Sequence, residues 1–207
     1  ALYTFFVAPI ESVRAWTEIA VKMTPLLLCS AGLVVCYRAN VWNIGAEGQL
    51  VVGAIAGGAV ALMAGPQTGD WWVIAVLAAS ALGGALWGAV TALLRHRFHA
   101  NEILVSLAQF FLQWAVQGPM RDPMGFGFPQ TELFDSSATL GVLLSGTRLH
   151  FGFILALLSA LGIWVLMDRM ALGMEFKISG MAPLAARYAG YQPGHLIWVS
   201  MLISGAL

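Results

Sequence analysis

Charge is what this chain has least of. Only 10% of its 207 residues are charged, ten Lys and Arg against ten Asp and Glu, for a formal net charge of zero. Ordinary globular chains carry about a quarter charged residues. With 59% hydrophobic residues and a mean hydropathy of +0.81, the composition excludes a soluble domain. The balanced charge leaves no basic field for nucleic acid and no acidic tail. Cysteine is nearly absent. Cys29 and Cys36 lie in one apolar run, about two helical turns apart, too far to bridge each other. No His or carboxylate stands beside them at ligand spacing, so no metal site is expected and both read as small packing residues. The sequence has no G-x-x-x-x-G-K-[ST] phosphate loop and cannot itself be an ATPase of that type. Ser80, Ser106, Ser159 and Ser204 have no His–Asp set beside them, which argues against a hydrolase. No charged segment followed by a cleavage site marks a secretory signal.

What is present is a succession of apolar runs, about six in number: Ile19–Tyr37, Gln49–Ala64, Trp71–Leu94, Glu102–Val116, Phe151–Met167 and Leu196–Leu207. A span needs about 20 apolar residues, so the first, third and fifth cross comfortably and the fourth and sixth are short. Lys22 and Pro25 interrupt the first, and Leu2–Ile10 is too short to span. The expected fold is an all-α, polytopic transmembrane helix bundle, residues 1–207 forming one membrane domain. Arg95-His96-Arg97 follows the third span, and Arg169, Lys177 and Arg187 follow the fifth. The positive-inside rule puts both segments, and Arg38, in the cytoplasm. The Gly65–Asp70 turn and the Gln117–His150 loop then lie outside, with Trp71 and Trp72 in an aromatic belt.

The run Arg38–Leu50, RANVWNIGAEGQL, is the most informative stretch. Asn43, Glu47 and Gln49 are polar residues between apolar runs, and Gly45 and Gly48 loosen the backbone there. A carboxylate near the hydrocarbon usually faces a bundle interior or an aqueous path, and helices break where they line a cavity. These three residues are therefore candidates for a translocation path. The alternative is an interfacial loop with a solvated Glu47. Gly53, Gly57, Ala61 and Gly65 recur every four residues, as do Gly84 and Gly88, a pattern that lets helix backbones approach closely in lipid. His96 and His99 lack a third ligand and read as a solvated turn. Asn101 and Glu102 read as an N-cap and first-turn acid of the fourth span. The inner loop at residues 171–191 is long and cationic. Pro183 offers a helix start there, and an exposed Ala-Ala-Arg-Tyr-Ala stretch could dock a soluble partner or rest on lipid headgroups.

NIGAEGQ at Asn43–Gln49, HANEI at His99–Ile103, GMAPLAARYAG at Gly180–Gly190 and SGAL at Ser204–Leu207 occur in that order. Together they resemble the permease subunits of bacterial ABC importers, in the simple-sugar and nucleoside branch of the branched-chain amino-acid/ribose permease superfamily. The resemblance runs from about Glu18 onward. It implies a subunit without enzymatic chemistry or cofactor of its own, ATP being bound by a separate ATPase subunit. It also implies a second permease subunit, identical or not, a periplasmic or lipid-anchored binding protein that delivers a nucleoside or sugar, and a multi-pass place in the inner membrane. Pro183, Ala185, Ala186, Arg187 and Gly190 fall on the family's cytoplasmic coupling loop, where Leu184 replaces the acid common before Ala-Ala. The passage from Ser106-Leu107 to Ala108-Gln109 is shorter than the family's, and its permeases continue for several helices past SGAL, so a partial permease is expected. The main rival is an ion-coupled secondary transporter using Glu47. A third reading, a membrane scaffold, requires a solvated Glu47 and a bundle with no path.

Overall fold

The computed structural model describes residues 3, 6, 7, 10–65, 67–98, 111–126, 128 and 130–207. Among these the regular structure is helical, with one isolated bridge between Val142 and His150 in the irregular stretch before Gly152. Helix α1 spans Val13–Arg38, α2 Ala46–Ala61, α3 Trp72–Phe98, α4 Gly152–Arg169, α5 Ala171–Met181, α6 Pro183–Tyr188 and α7 Pro193–Ala206. Residues 111–117 are also helical. The expected fourth span falls mostly on residues outside the described set, as do His99, Asn101, Glu102 and Ser106.

Helix α1 begins earlier than hydropathy alone suggests because Ser12 caps it, its Oγ accepting from the Ala15 N–H at 3.1 Å. Pro25 sits inside the helix without ending it. The C-terminus closes with Asn40 at φ 56°. The Val41 N–H reaches the Cys36 carbonyl at 2.8 Å and the Asn40 N–H that of Tyr37 at 3.0 Å, the paired bonds that end a helix through one left-handed residue. Helices α1, α4 and residues 72–94 of α3 are long and apolar enough to cross a membrane. Residues 46–61 and 194–206 form shorter apolar helices.

Helix α2 packs against α3, and α7 lies against α3 and α1. Glycine makes these approaches possible. A Cβ at Gly84 would meet the carbonyl oxygen of Gly205, and one at Gly205 would meet that of Gly84. Across the other face, a Cβ at Gly53 would stand 3.0 Å from the Ser80 carbonyl. The four-residue spacing thus serves two seams, α2–α3 and α3–α7, as expected where packing rather than a hydrophobic driving force holds helices together. Gly65 takes no part, having nothing within 4 Å past the end of α2.

Ala31, Val35, Ile163, Met167, Phe176 and Leu196 form one core, joining α1, α4, α5 and α7. The stretch expected as a long inner loop is therefore two helices, because Gly173, Phe176 and Ser179 recur at threes and give α5 a buried face. Arg38 lies 3.9 Å from Asp168, which gathers the ends of α1 and α4 at one end of the bundle with α5 and α6. The N-terminal half of α1 meets the opposite loop, where Arg148 lies 3.6 Å from Glu18. At that end the Trp72 Nε1–H donates to the Val60 carbonyl at 3.1 Å, and Trp71 packs edge-on to Trp72 with 62% of its surface exposed.

Candidate functional site

The segment between α1 and α2 turns back into the bundle. Residues 41–43 are non-helical, and the Gly45 N–H closes on Asn43 Oδ1 at 3.1 Å. A Cβ at Gly45 would lie 3.7 Å from Thr91 Oγ1, so this segment packs against the inner turns of α3. Asn43 is buried there, and so is Gln49 in the first turns of α2.

Both amides meet Ser204 of α7. Asn43 Nδ2 donates to Gln49 Oε1 at 3.0 Å and to Ser204 Oγ at 2.9 Å. The Ser204 hydroxyl donates to Gln49 Oε1 at 3.0 Å, and Gln49 Nε2 donates to the Met201 carbonyl at 3.4 Å. Buried polar groups must be paired, and this network pairs three side chains with one another. The amide orientations follow from those pairings.

Directly beside the cluster lies a cavity of about 430 Å³ between α1, α2, α3, α4 and α7. Its polar lining is Gln49, Ser80, Ser159 and Ser204, the rest being Leu, Ala and Gly with Cys29. Among the described residues, no acidic or basic side chain lines it. Cavities of roughly 300–1,000 Å³ with few polar groups in an apolar wall are typical of small-molecule sites.

Of the candidate path residues, Gln49 lines this cavity and Asn43 supports it from behind. Glu47 does not join them: it is exposed in the first turn of α2, where an acid complements the helix dipole. In the sequence Ser204 stood out only as a serine without a His–Asp set and as part of SGAL, and its pairing with Gln49 spans 155 positions. Among the described residues no group of three or more His, Cys, Asp or Glu could hold a metal.

At the Arg38 end, Pro183 opens α6 as expected. Leu184, Ala185 and Arg187 are exposed, and Tyr188 is 94% exposed. Ala186 is fully buried, which corrects the expectation of an exposed pair of alanines: only one face of so short a helix can look outward. Gly190, at φ 87°, ends α6, with the Tyr191 N–H bonded to the Ala186 carbonyl at 2.9 Å. A left-handed residue there favours glycine.

Residues 16–207 match the family described as the branched-chain amino acid transport system / permease component. The chain belongs to this permease family. It is 32% identical over 216 residues to the glucose ABC transporter permease protein TsgB13 of Haloferax volcanii, covering 97% of this chain and 56% of that protein. It is 30% identical over 195 residues to the guanosine ABC transporter permease protein NupP of Bacillus subtilis, covering 89% and 55%. The nucleoside ABC transporter permease protein NupB of Lactococcus lactis is 24% identical over 214 residues, covering 98% and 59%. This permease thus spans a little over half the length of these curated relatives. No solved structure matches it significantly. Family membership and the apolar helices make it a membrane protein.

Proposed function

We propose that this chain forms the path-bearing part of the membrane subunit of an ATP-binding-cassette importer for a nucleoside or simple sugar. It would be a multi-pass protein of the bacterial inner membrane with the Arg38 end in the cytoplasm, where the positive-inside rule puts Arg38, Arg169, Lys177 and Arg187. The observation that carries the substrate class is the cavity. A wall whose described residues offer hydroxyls and one carboxamide but no charged side chain suits an uncharged, hydroxyl-bearing solute. A zwitterion entering the same space would give up hydration with no ion to replace it, a cost of several kcal/mol per charge. The glucose, guanosine and nucleoside permeases among the relatives point the same way.

Power would come from a separate ATPase subunit docked on the exposed face of α6, where Ala185 and Arg187 lie beside Leu184 and Tyr188. A second permease subunit would complete the membrane unit, and a periplasmic or lipid-anchored binding protein would deliver the solute. This chain would perform no covalent chemistry and carry no cofactor. The ion-coupled alternative needs Glu47 in the path, and Glu47 lies outside the cavity lining. The test is a competition panel on the assembled transporter. Nucleosides or hexoses should compete for uptake while leucine does not, and inhibition by leucine alone would reject the neutral-solute reading.

A further inference from the structure

At the Arg38 end of the bundle two hollows meet, and we propose that together they hold one anionic phospholipid. Its headgroup phosphate would sit among Arg38, Arg169 and Lys177, and an acyl chain in the groove between α1 and α4. The first hollow, of about 820 Å³, lies where the ends of α1 and α4 face α5. Among the described residues its charged lining is Arg38, Arg169 and Lys177 against a single acid, Asp168. Asp168 stands 3.9 Å from Arg38 and both side chains are 44% exposed, so this pair is loose and the hollow keeps a surplus of positive charge. Much of the remaining wall is methionine: Met167, Met170, Met174 and Met181. The last three are more than half exposed. Unbranched, polarizable side chains adapt to an irregular apolar ligand.

The second hollow, of about 260 Å³, is a groove between α1 and α4 that shares Arg38, Met167 and Asp168 with the first. From that mouth it follows both membrane-spanning helices past Val34 and Ile163 to Leu27 and Ala160, a rise of roughly 12–16 Å along the helix axes. Beyond the charged mouth its one polar side chain is Ser30, whose hydroxyl donates to the Leu27 carbonyl at 3.0 Å. At the junction the Arg169 guanidinium lies 5.8 Å from the centre of the Trp164 ring, and Trp164 lines the groove. Tryptophan favours the headgroup level of a membrane, and a cation beside it there meets lipid phosphates. A free anion would fill only the first hollow, and a soluble subunit could reach only that one. The groove lies along spanning helices and needs an apolar chain joined to the anion, which a phospholipid supplies. Basic pockets between membrane helices hold anionic headgroups in this way.

The experiment titrates the full-length transporter, delipidated in detergent with its ATPase bound, with phosphatidylglycerol or phosphatidylcholine, and counts bound lipids by native mass spectrometry. Phosphatidylglycerol should bind the more tightly. Arg169→Gln and Lys177→Gln should each weaken it by about fivefold, the effect of one cation near a membrane surface, and leave phosphatidylcholine unchanged. Lys177→Arg should bind as the parent does, and Asp168→Asn should tighten phosphatidylglycerol by a similar factor. Ala160→Phe, which fills the groove, should weaken both lipids. Either cation variant decides the matter if the other fails to assemble. Parental phosphatidylglycerol binding in an assembled cation variant overturns the proposal. So does displacement of the lipid by equimolar glycerol phosphate, which would mean a free-anion site. ATPase release from a cation variant whose lipid binding is parental would mean a subunit contact, and parental lipid binding by Ala160→Phe a groove covered by protein; each overturns it too. Binding is read without transport, so a transporter that moves neither sugar nor nucleoside rejects the importer reading and leaves the lipid site measurable.

Discussion

Replacing Gly84 by Ala puts one methyl group where α3 and α7 touch. The new Cβ would land on the carbonyl oxygen of Gly205, with the carbonyl carbon at 3.1 Å and the Gln49 carbonyl oxygen at 3.2 Å. All three obstacles are backbone, so no side chain can turn away and the helices must separate. Overpacking of this kind costs about 1–3 kcal/mol. The higher helix propensity of Ala returns less than about 1 kcal/mol. Separation would also stretch the 3.4 Å bond from Gln49 to the Met201 carbonyl and loosen the seam at Gly88. Gly162 is the matched control: it lies within α4 with nothing within 4 Å of a built Cβ. There the same substitution should be neutral or stabilising by up to about 1 kcal/mol. The assay is thermal aggregation of the detergent-solubilised, full-length permease, read by size-exclusion chromatography after heating. Gly84→Ala should lower the midpoint and Gly162→Ala should not. Equal midpoints for Gly84→Ala and the parental protein would refute the close-packing argument.

Further outcomes follow from single residues. Ala186→Glu places a carboxylate at a fully buried position, so its membrane yield should fall sharply. Tyr188→Ala, at an exposed position, should keep parental yield and lose ATPase in co-purification. Gly190→Val should cost about 1–2 kcal/mol at its left-handed position, and Gly190→Asn less, measured as protease sensitivity of the α6–α7 turn. In the loop before α4, the N–H and hydroxyl of Ser137 hold the Asp135 carboxyl below its ordinary value. A depressed folded pKa means the turn at Ser136–Ala138 is supported above the unfolded Asp pKa and loses that support as pH falls through the folded one. Hydrogen exchange at Ser137 should show protection falling across that acidic window, and Asp135→Ala should abolish the dependence.

Much of the fold was legible because hydropathy and small-residue spacing are local signals. The first, third and fifth apolar runs became α1, α3 and α4, and Gly53, Gly84 and Gly88 became contact points. The cap by Ser12 carried α1 past the start set by its apolar run. The polar insert was recognisable as unusual, but its chemistry was not. Asn43, Glu47 and Gln49 look equivalent in sequence. The helix phase of α2 turns Gln49 inward and Glu47 outward, and only the arrival of α7 supplies Ser204. Likewise Ala185 and Ala186 are identical neighbours, and the docking of α6 alone decides which one is buried.

ATP-driven passage of a neutral solute can be measured by reconstitution. Proteoliposomes containing the full-length permease, its ATPase and its binding protein would be loaded with or without ATP on the cytoplasmic face, and uptake of labelled nucleoside and hexose measured. Uptake that requires ATP and ignores proton and sodium gradients is the predicted result. Uptake driven by an ion gradient without ATP, and abolished by Glu47→Ala, would contradict the account and establish the ion-coupled carrier in its place.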